Sequence, residues 1–141
     1  MRQLPPEKSN MYGSPIPLVI FIESAVGLLN MRESLSVFHE SNRFDLQAIV
    51  FGSDDYVASI GANRSENGEE LSYARQSIVA HAAAFELQSI DMVYINFKNL
   101  EGLRVNAQQG ADIGFTGKQV IHPNNIETVQ NVFTPRLRFY Y

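Results

Sequence analysis

The sequence predicts an α/β domain built on a parallel sheet that is covered by helices. Short apolar segments alternate with amphipathic segments in the order β-α-β-α-β-α-β-α, which is the pattern of strand–helix–strand folds. Apolar runs such as residues 17–22 and 46–51 are typical of strands that are buried in a parallel sheet. The 141 residues are enough for one domain with a hydrophobic core.

The predicted strands are short, and polar residues follow the first two directly. The four strands are expected at residues 17–22, 46–51, 92–95 and 111–115. Residues 52–68 are polar and contain glycines. We therefore expect a long loop after the second strand, of the kind that covers a site.

Helices are predicted between the strands and after the last one. Apolar residues recur at helical intervals over 25–39 and over 70–88. A third helix is expected over 100–109, with Gly110 as its C-terminal cap. Pro123 is expected to open the last helix, because proline is favoured at the first helical position.

The composition argues against several classes of function. The net charge of −4 and the lack of a Lys/Arg run argue against a nucleic-acid surface. The absence of cysteine excludes disulfides, thiolate metal sites and cysteine nucleophiles. No apolar stretch approaches the roughly 20 residues that cross a bilayer, so no membrane contact is expected. Residues 1–14 are polar and poor in arginine, so no targeting segment is predicted.

Acidic residues follow the first two predicted strands at the point where each strand ends. Glu23 follows the first strand, and Asp54 and Asp55 follow the second. Neighbouring parallel strands deliver such residues to one rim of the sheet, and one or two carboxylates usually hold Mg²⁺ together with water and substrate oxygens. The alternative is that each acid only stabilises a helix N-terminus or caps a loop. Taken together, the acids predict a metal site to which one of Asp54 and Asp55 points.

A second candidate is the segment 114–123, which supplies backbone amides, Lys118 and a helix start. It is not a P-loop, because that motif needs glycine where Asp112 stands and Ser or Thr where Gln119 stands. The segment is still suited to holding an anion, and a surface ion pair of Lys118 is an equal alternative. We interpret His122, which precedes a proline, as a helix cap and not as a metal ligand.

Other polar residues are interpreted as structural. Ser24 lacks the Gly-x-Ser-x-Gly turn of a serine nucleophile. His39 and His81 lie within helix patterns. Arg75 is expected to form a salt bridge at the surface or at a rim.

Four motifs occur in order along the chain, at residues 22–30, 51–56, 73–76 and 114–123. In this combination they resemble the citrate lyase β-subunit-like proteins of the HpcH/HpaI aldolase superfamily. The resemblance predicts three parts of the chain, namely a polar lead over 1–15, a family domain over 16–135 and a divergent tail over 136–141.

The resemblance implies a (β/α)₈ TIM barrel whose active site lies at the C-terminal ends of the strands. Such a barrel takes about 250 residues, so this chain is expected to form only the second half, strands five to eight. The implied cofactor is Mg²⁺, with Glu23 and Asp55 as its ligands and as the catalytic residues. The implied substrate-binding residues are Ala25, through its backbone amide, and Ser53, Asp54 and Lys118.

For activity, the resemblance implies Mg²⁺-dependent cleavage of citramalyl-CoA to acetyl-CoA and pyruvate, so the partners are an acyl-CoA thioester and a 2-oxo acid. A malyl-CoA lyase, or a malate-synthase-like condensation, is the alternative within this class. A non-catalytic half-barrel that binds metal or a partner through its open edges is the alternative outside it. We expect the truncated chain alone to bind Mg²⁺ weakly and to be inactive, with little or no turnover. The resemblance also implies a homo-oligomer, a trimer in relatives, and a mitochondrial location.

Overall fold

The computed structural model describes residues 13–65 and 67–134, which form one parallel sheet. The strands follow one another across the sheet in chain order, as β1 (Ile16–Ile22), β2 (Phe44–Phe51), β3 (Gln88–Asp91) and β4 (Gly117–Lys118). Each strand pairs with the next in parallel. The predicted α/β class is therefore confirmed. Most of the predicted lead and all of the predicted tail lie outside the described residues.

Helices connect and cover these strands. In chain order they are α1 (Ala25–Leu29), α2 (Met31–Glu40), α3 (Ser53–Ile60), α4 (Ser72–Ala84), α5 (Leu100–Asp112) and α6 (Ile126–Phe133). The single helix predicted over 25–39 is two helices, because Asn30 ends α1 and begins α2. A 3₁₀ turn at Pro123–Asn125 precedes α6, so Pro123 opens the last helical segment as predicted. Within the described ranges, no helix combines the length and apolar character needed to cross a membrane.

Helix α3 occupies about half of the segment 52–68, for which a loop is predicted. Its Tyr56 and Val57 are buried in the core, and acidic residues in its first turn favour a helix start. The helix ends at Gly61, which has a φ of 68°, a conformation that glycine adopts at little cost. The prediction of a loop over 52–68 is therefore wrong, and the connection to the next helical turn begins only after α3.

The hydrophobic core lies between one face of the sheet and the helices. It is formed mainly by Ile22, Ile49, Phe51, Met31, Leu35, Leu71, Ala74 and Ile78. On β1, Ile22 is buried whereas Val19 and Phe21 are about half exposed, because successive side chains of a strand point to opposite faces. Phe21 pairs with Val50 of β2. The face opposite the core is therefore apolar as well.

The third strand lies just before the predicted one. β3 covers Gln88–Asp91, whereas the apolar run that predicted it lies at 92–95. The strand is polar because tertiary contacts satisfy its buried side chains. The hydroxyl of Ser89, for example, donates to the carbonyl of Gly114 at 3.5 Å. A search for apolar runs could not detect such a strand.

The fourth strand lies after the predicted segment 111–115. Helix α5 continues to Asp112. Gly110 is buried inside this helix, so the prediction that Gly110 caps it is wrong. Gly114, with a φ of 108°, follows the end of the helix. The chain then enters β4 at Gly117–Lys118, so the predicted position of this strand is wrong.

A buried charge cluster joins the second half of the sheet to the helices. Asp91, at the end of β3, is 0% exposed and accepts hydrogen bonds from Arg75 of α4, from Nε at 3.0 Å and from Nη2 at 2.7 Å. Lys118 of β4 places its Nζ 3.3 Å from Asp91 Oδ2 and donates to Oδ1 of Asn106 in α5 at 2.6 Å. The salt bridge of Arg75 is therefore buried, and its expected place at the surface or at a rim is wrong. A buried carboxylate without such partners would be very costly.

Helix α5 approaches this cluster through Gly110. A Cβ at Gly110 would lie 2.5 Å from Oδ2 of Asp91 and 3.3 Å from Nη2 of Arg75. We expect Gly110→Ala to lower the free energy of unfolding in urea by about 1–3 kcal/mol, because two buried, paired side chains cannot move aside freely. Gln108→Ala, at an exposed position of the same helix, is the control and should stay within about 0.5 kcal/mol of the parent. Equal stability of Gly110→Ala and the parent would contradict this account of the packing.

Candidate metal site

The carboxyl ends of the strands are joined by hydrogen bonds that continue beyond the sheet ladder. The amide of Gly52 donates to the carbonyl of Ile22 at 3.0 Å, which joins the ends of β1 and β2. Gln119 follows β4, and its Nε2 donates to the carbonyl of Phe51 at 2.9 Å while its amide donates to the carbonyl of Asp91 at 3.1 Å. Gln119 therefore links the ends of β2, β3 and β4. These bonds fix the rim from which the candidate site residues extend.

Glu23 follows β1, and its side chain lies against Gly52. A Cβ at Gly52 would lie 2.7 Å from Oε1 of Glu23, so only glycine leaves room for this carboxylate. Glu23 is exposed to solvent. Its carboxylate has no hydrogen-bond or ion-pair partner among residues 13–65 and 67–134. The carboxylate is therefore free to bind a cation at the end of β1.

The first turn of α3 carries Ser53, Asp54 and Asp55 at the end of β2. Arg64 donates through Nη1 to Oδ1 of Asp54 at 2.9 Å and to Oγ of Ser53 at 2.7 Å. Asp55 is exposed, and in the described part of the chain its carboxylate has no partner. The two adjacent acids therefore differ, because Asp54 is paired with a cation and Asp55 is not.

The backbone amide of Ala25 already has an acceptor. It donates to Oγ of Ser59 at 3.0 Å, and that hydroxyl donates to the carbonyl of Tyr56 at 2.8 Å. The hydroxyl of Ser59 thus links the start of α1 to α3. In this structure the amide makes a structural contact, and its expected role in binding substrate stays a prediction. Ser24 is structural as predicted, since its hydroxyl accepts from the amide of Gly27 at 3.0 Å and caps α1.

Lys118 lies inside the fold and not at its surface. Its side chain is 0% exposed, and its Nζ reaches Asp91, the carbonyl of Met92 at 2.7 Å and Asn106. An ammonium group has three donors, so none remains for a substrate anion or for a surface ion pair. The expected surface ion pair of Lys118 is therefore wrong, and its expected role in binding substrate, for which no donor is free in this structure, stays a prediction. Burial lowers the pKa of Lys118 from 10.5 to about 8, and the nearby Asp91 carboxylate opposes that effect.

Two of the three histidines make hydrogen bonds with structural roles, and the ring of His39 packs edge-on against Phe85. His122 accepts through Nδ1 from the amide of Asn124 at 3.2 Å and caps the 3₁₀ turn before α6, as predicted. The Nδ1 of His81 lies 2.8 Å from the carbonyl of Ser77, one turn earlier in α4. These contacts leave the carboxylates as the candidate metal ligands.

The rim offers hard oxygen donors but no complete metal cage. Within the described ranges, no group of three or more His, Cys, Asp and Glu side chains is placed to hold a metal ion. Mg²⁺ does not need such a group, because it is usually bound through one or two carboxylates and keeps water or substrate oxygens in its other positions. The unpaired carboxylates of Glu23 and Asp55 therefore fit Mg²⁺, whereas a metal that prefers sulfur or imidazole ligands does not fit.

A cavity of about 620 Å³ opens beside α5. Arg64, Asn96 and Asn106 are among the residues that line it, whereas Glu23 and Asp55 do not. Arg64 therefore contacts the acidic turn of α3 and also forms part of the wall of this cavity.

Sequence reasoning did not identify Arg64 or Gln119. Arg64 lies in a polar loop, and its contact with Asp54 depends on the path of the chain after α3. Gln119 belongs to the segment 114–123, which was singled out for its lysine and its amides. Its bond to Phe51 crosses 68 positions of the chain, so no local signal predicts it.

The buried position of Lys118 makes the stability of the fold depend on pH. The unfolded state holds this proton up to about pH 10.5, whereas the folded state releases it at about pH 8. The unfolded state therefore binds more protons between these values, and stability rises with pH across this window. Between about pH 8 and pH 10.5, we expect the free energy of unfolding of the parent to rise by roughly 1–3 kcal/mol more than that of Lys118→Met, which lacks this titrating group. Parallel curves for the two proteins in urea titrations from pH 7 to pH 10.5 would refute this prediction.

Comparison of the sequence with known proteins leads to the same family as the four motifs. Residues 1–123 match the sequence model of the HpcH/HpaI aldolase/citrate lyase family. Citramalyl-CoA lyase, mitochondrial, of Rattus norvegicus is 46% identical over 132 residues, which cover 91% of this chain and 39% of that protein. The Homo sapiens protein of the same name is 48% identical, again over 91% of this chain and 38% of its own length. The chain therefore spans less than half the length of these relatives.

Solved structures of the family share the fold. RipC from Yersinia pestis matches with a TM-score of 0.77 and 30% identity, over 86% of this chain and 53% of that one. The citrate lyase beta subunit from M. tuberculosis, complexed with oxaloacetate and magnesium, matches with a TM-score of 0.69 and 25% identity, over 82% of this chain and 51% of that one. The sequence match over most of the chain, together with these structures, shows that the chain belongs to the HpcH/HpaI aldolase/citrate lyase family.

Proposed function

We propose that this chain carries the metal-binding part of a Mg²⁺-dependent carbon–carbon lyase that cleaves citramalyl-CoA to acetyl-CoA and pyruvate. The observation that carries the proposal is the pair of unpaired, exposed carboxylates of Glu23 and Asp55. They follow two adjacent strands whose ends are joined by a hydrogen bond. Exposed acids such as Glu33 and Asp45 lie elsewhere, whereas Glu23 and Asp55 follow the ends of two adjacent strands, and this shared place at one rim favours a binding role.

The relatives favour this reaction over others that the fold supports. Two relatives that are 46–48% identical to most of the chain are named citramalyl-CoA lyase. A neighbour with 25% identity holds magnesium and oxaloacetate, a 2-oxo acid. The proposed partners are therefore a short acyl-CoA thioester and a 2-oxo acid product.

The residues of this chain have distinct roles in the proposed site. Glu23 and Asp55 would hold Mg²⁺, which when bound supplies a Lewis acid that polarises a substrate oxygen and aligns the substrate. The amides in the first turn of α3, at Ser53–Asp55, have no acceptor within the helix, and they lie at its positive end. They are therefore suited to binding the substrate carboxylate. We do not extend this role to Ala25 or Lys118, whose donors are engaged elsewhere.

The architecture fits half of a (β/α)₈ barrel. The strands lie side by side in chain order and all run parallel, as strands do in such a barrel. The sheet face away from the core carries Val19 and Phe21, apolar residues of the kind that fill a barrel interior. We propose that 16–135 forms the half-barrel domain, that the protein assembles as a homo-oligomer, and that it is mitochondrial like the named relatives.

The proposed metal site predicts the effect of removing either carboxylate. Calorimetric titration with Mg²⁺ should detect binding to the parent chain, and Glu23→Gln or Asp55→Asn should weaken it by at least about tenfold, because losses of even indirect metal contacts reach that size. Glu33→Gln and Asp45→Asn change exposed acids elsewhere and should leave the affinity unchanged. Equal affinity of all five folded proteins would refute the site.

Turnover separates the lyase from a non-catalytic remnant of the family. The folded chain is incubated with citramalyl-CoA and Mg²⁺, and free acetyl-CoA is measured. We expect slow release that depends on Mg²⁺ and is lost in Glu23→Gln. Mg²⁺ binding without any release of acetyl-CoA would favour the metal-binding remnant.

Gly52 is expected to matter for the metal more than for the fold. The three atoms nearest to an added Cβ all belong to Glu23. This exposed side chain can rotate away, so we expect Gly52→Ala to lower the free energy of unfolding by less than about 1 kcal/mol. The displaced carboxylate should weaken Mg²⁺ binding about as much as Glu23→Gln does. Unchanged Mg²⁺ affinity in Gly52→Ala would show that the observed position of Glu23 is not the binding position.

A further inference from the structure

We propose that Arg64 is a positioning residue that decides which of the two adjacent acids of α3 binds the metal. By holding Asp54, it leaves Asp55 as the acid that is free to act as a ligand. This inference rests on the proposed function, because it takes Glu23 and Asp55 as the metal ligands.

The loop after α3 brings Arg64 back to the start of that helix. The chain turns at Gly61, where φ is 68°. The Nη1 atom of Arg64 then donates to Oγ of Ser53 at 2.7 Å and to Oδ1 of Asp54 at 2.9 Å, and Nη2 lies 3.5 Å from Sδ of Met92. Contacts with two helix residues and with the residue after β3 fix the guanidinium group in one orientation.

Pairing with Arg64, and not burial, separates the two acids, because the side chain of Asp54 is itself 58% exposed. Ser53 is 2% exposed, so it is a fixed anchor, and the side chain of Arg64 is 23% exposed. The partly buried guanidinium is therefore screened less than a surface group would be. The Asp54 carboxylate is engaged by this cation, whereas Asp55 has no partner in the described ranges.

Two neighbouring carboxylates on a helix turn would otherwise compete for one divalent cation. Their side chains leave the helix about 100° apart, so a metal bound to one lies in a different direction from a metal bound to the other. Only one direction can suit a substrate that is also bound at the rim. An arginine paired with Asp54 removes this ambiguity before the metal arrives.

The test is a double-mutant cycle between positions 64 and 55, measured by calorimetry with Mg²⁺ alone. In the parent, we expect Asp55→Asn to weaken binding by at least about tenfold, and Asp54→Asn to change it by less than about twofold. In an Arg64→Ala background, Asp54 is released and becomes a competing ligand. The loss caused by Asp55→Asn should then fall to about threefold or less, because non-additivity of this kind reports direct coupling.

Two further variants separate positioning from general damage. Arg104→Ala removes another arginine that pairs with an acid, Glu101, on the surface of α5. In that background the loss caused by Asp55→Asn should stay at its parental size. Arg64→Lys keeps the positive charge but loses the planar fork, and it should give an intermediate loss. An equal loss from Asp55→Asn in the parent and in Arg64→Ala would overturn the proposal.

A metal-free measurement keeps this inference distinct from the proposed function. The amide of Tyr56 donates to the carbonyl of Gly52 at 3.1 Å, so its hydrogen exchange reports the order of the first turn of α3. Without metal, we expect Arg64→Ala to speed this exchange by about tenfold, and Arg104→Ala to leave it unchanged. If the parent binds no Mg²⁺, the proposed function fails. Unchanged exchange in Arg64→Ala would overturn the role of Arg64 whether or not the metal binds.

Discussion

The buried carboxylate of Asp91 is the constraint on which the second half of the fold depends. It is completely enclosed, so it must be neutralised, and Arg75 and Lys118 supply the cations from α4 and β4. β3 and β4 share only two residue pairs, which is a short ladder. The side-chain cluster therefore contributes more to fixing β4 than the backbone pairing does. Burial lowers the pKa of Lys118, the Asp91 carboxylate opposes that effect, and the second cation, Arg75, adds to it.

The candidate site depends on the same cluster through Gln119. This residue follows Lys118 directly, so the position of Lys118 determines where the Gln119 side chain leaves β4. From there it bonds to the carbonyl of Phe51, at the end of β2. Asp54, the first acid of α3, lies three residues after Phe51 in the chain. A buried network on the helix side of the sheet thus fixes the strand ends from which the rim acids extend.

The sequence predicts those parts of the fold that follow from local patterns. The apolar runs of β1 and β2 end directly before Glu23 and before the acidic turn of α3, so both strands and the rim acids were recognised. β3 was missed because its polar residues, such as Ser89, are satisfied by distant partners. Lys118 was misinterpreted for a similar reason. A lysine that follows glycine in a loop-like segment predicts an exposed side chain. Lys118 is buried because the fold places the Asp91 carboxylate beside it.

The pairing of charges separates the structural acids of this fold from those available for function. Asp91 is buried and has two cations, and Asp54 is engaged by Arg64. Glu23 and Asp55 are exposed and have no partner in the described ranges. Water solvates their charges, so the fold does not require a partner for either of them. In the proposed site, a cation bound by both carboxylates would gain from both charges without breaking an existing ion pair. The charge cluster below the rim would stay intact when the metal binds.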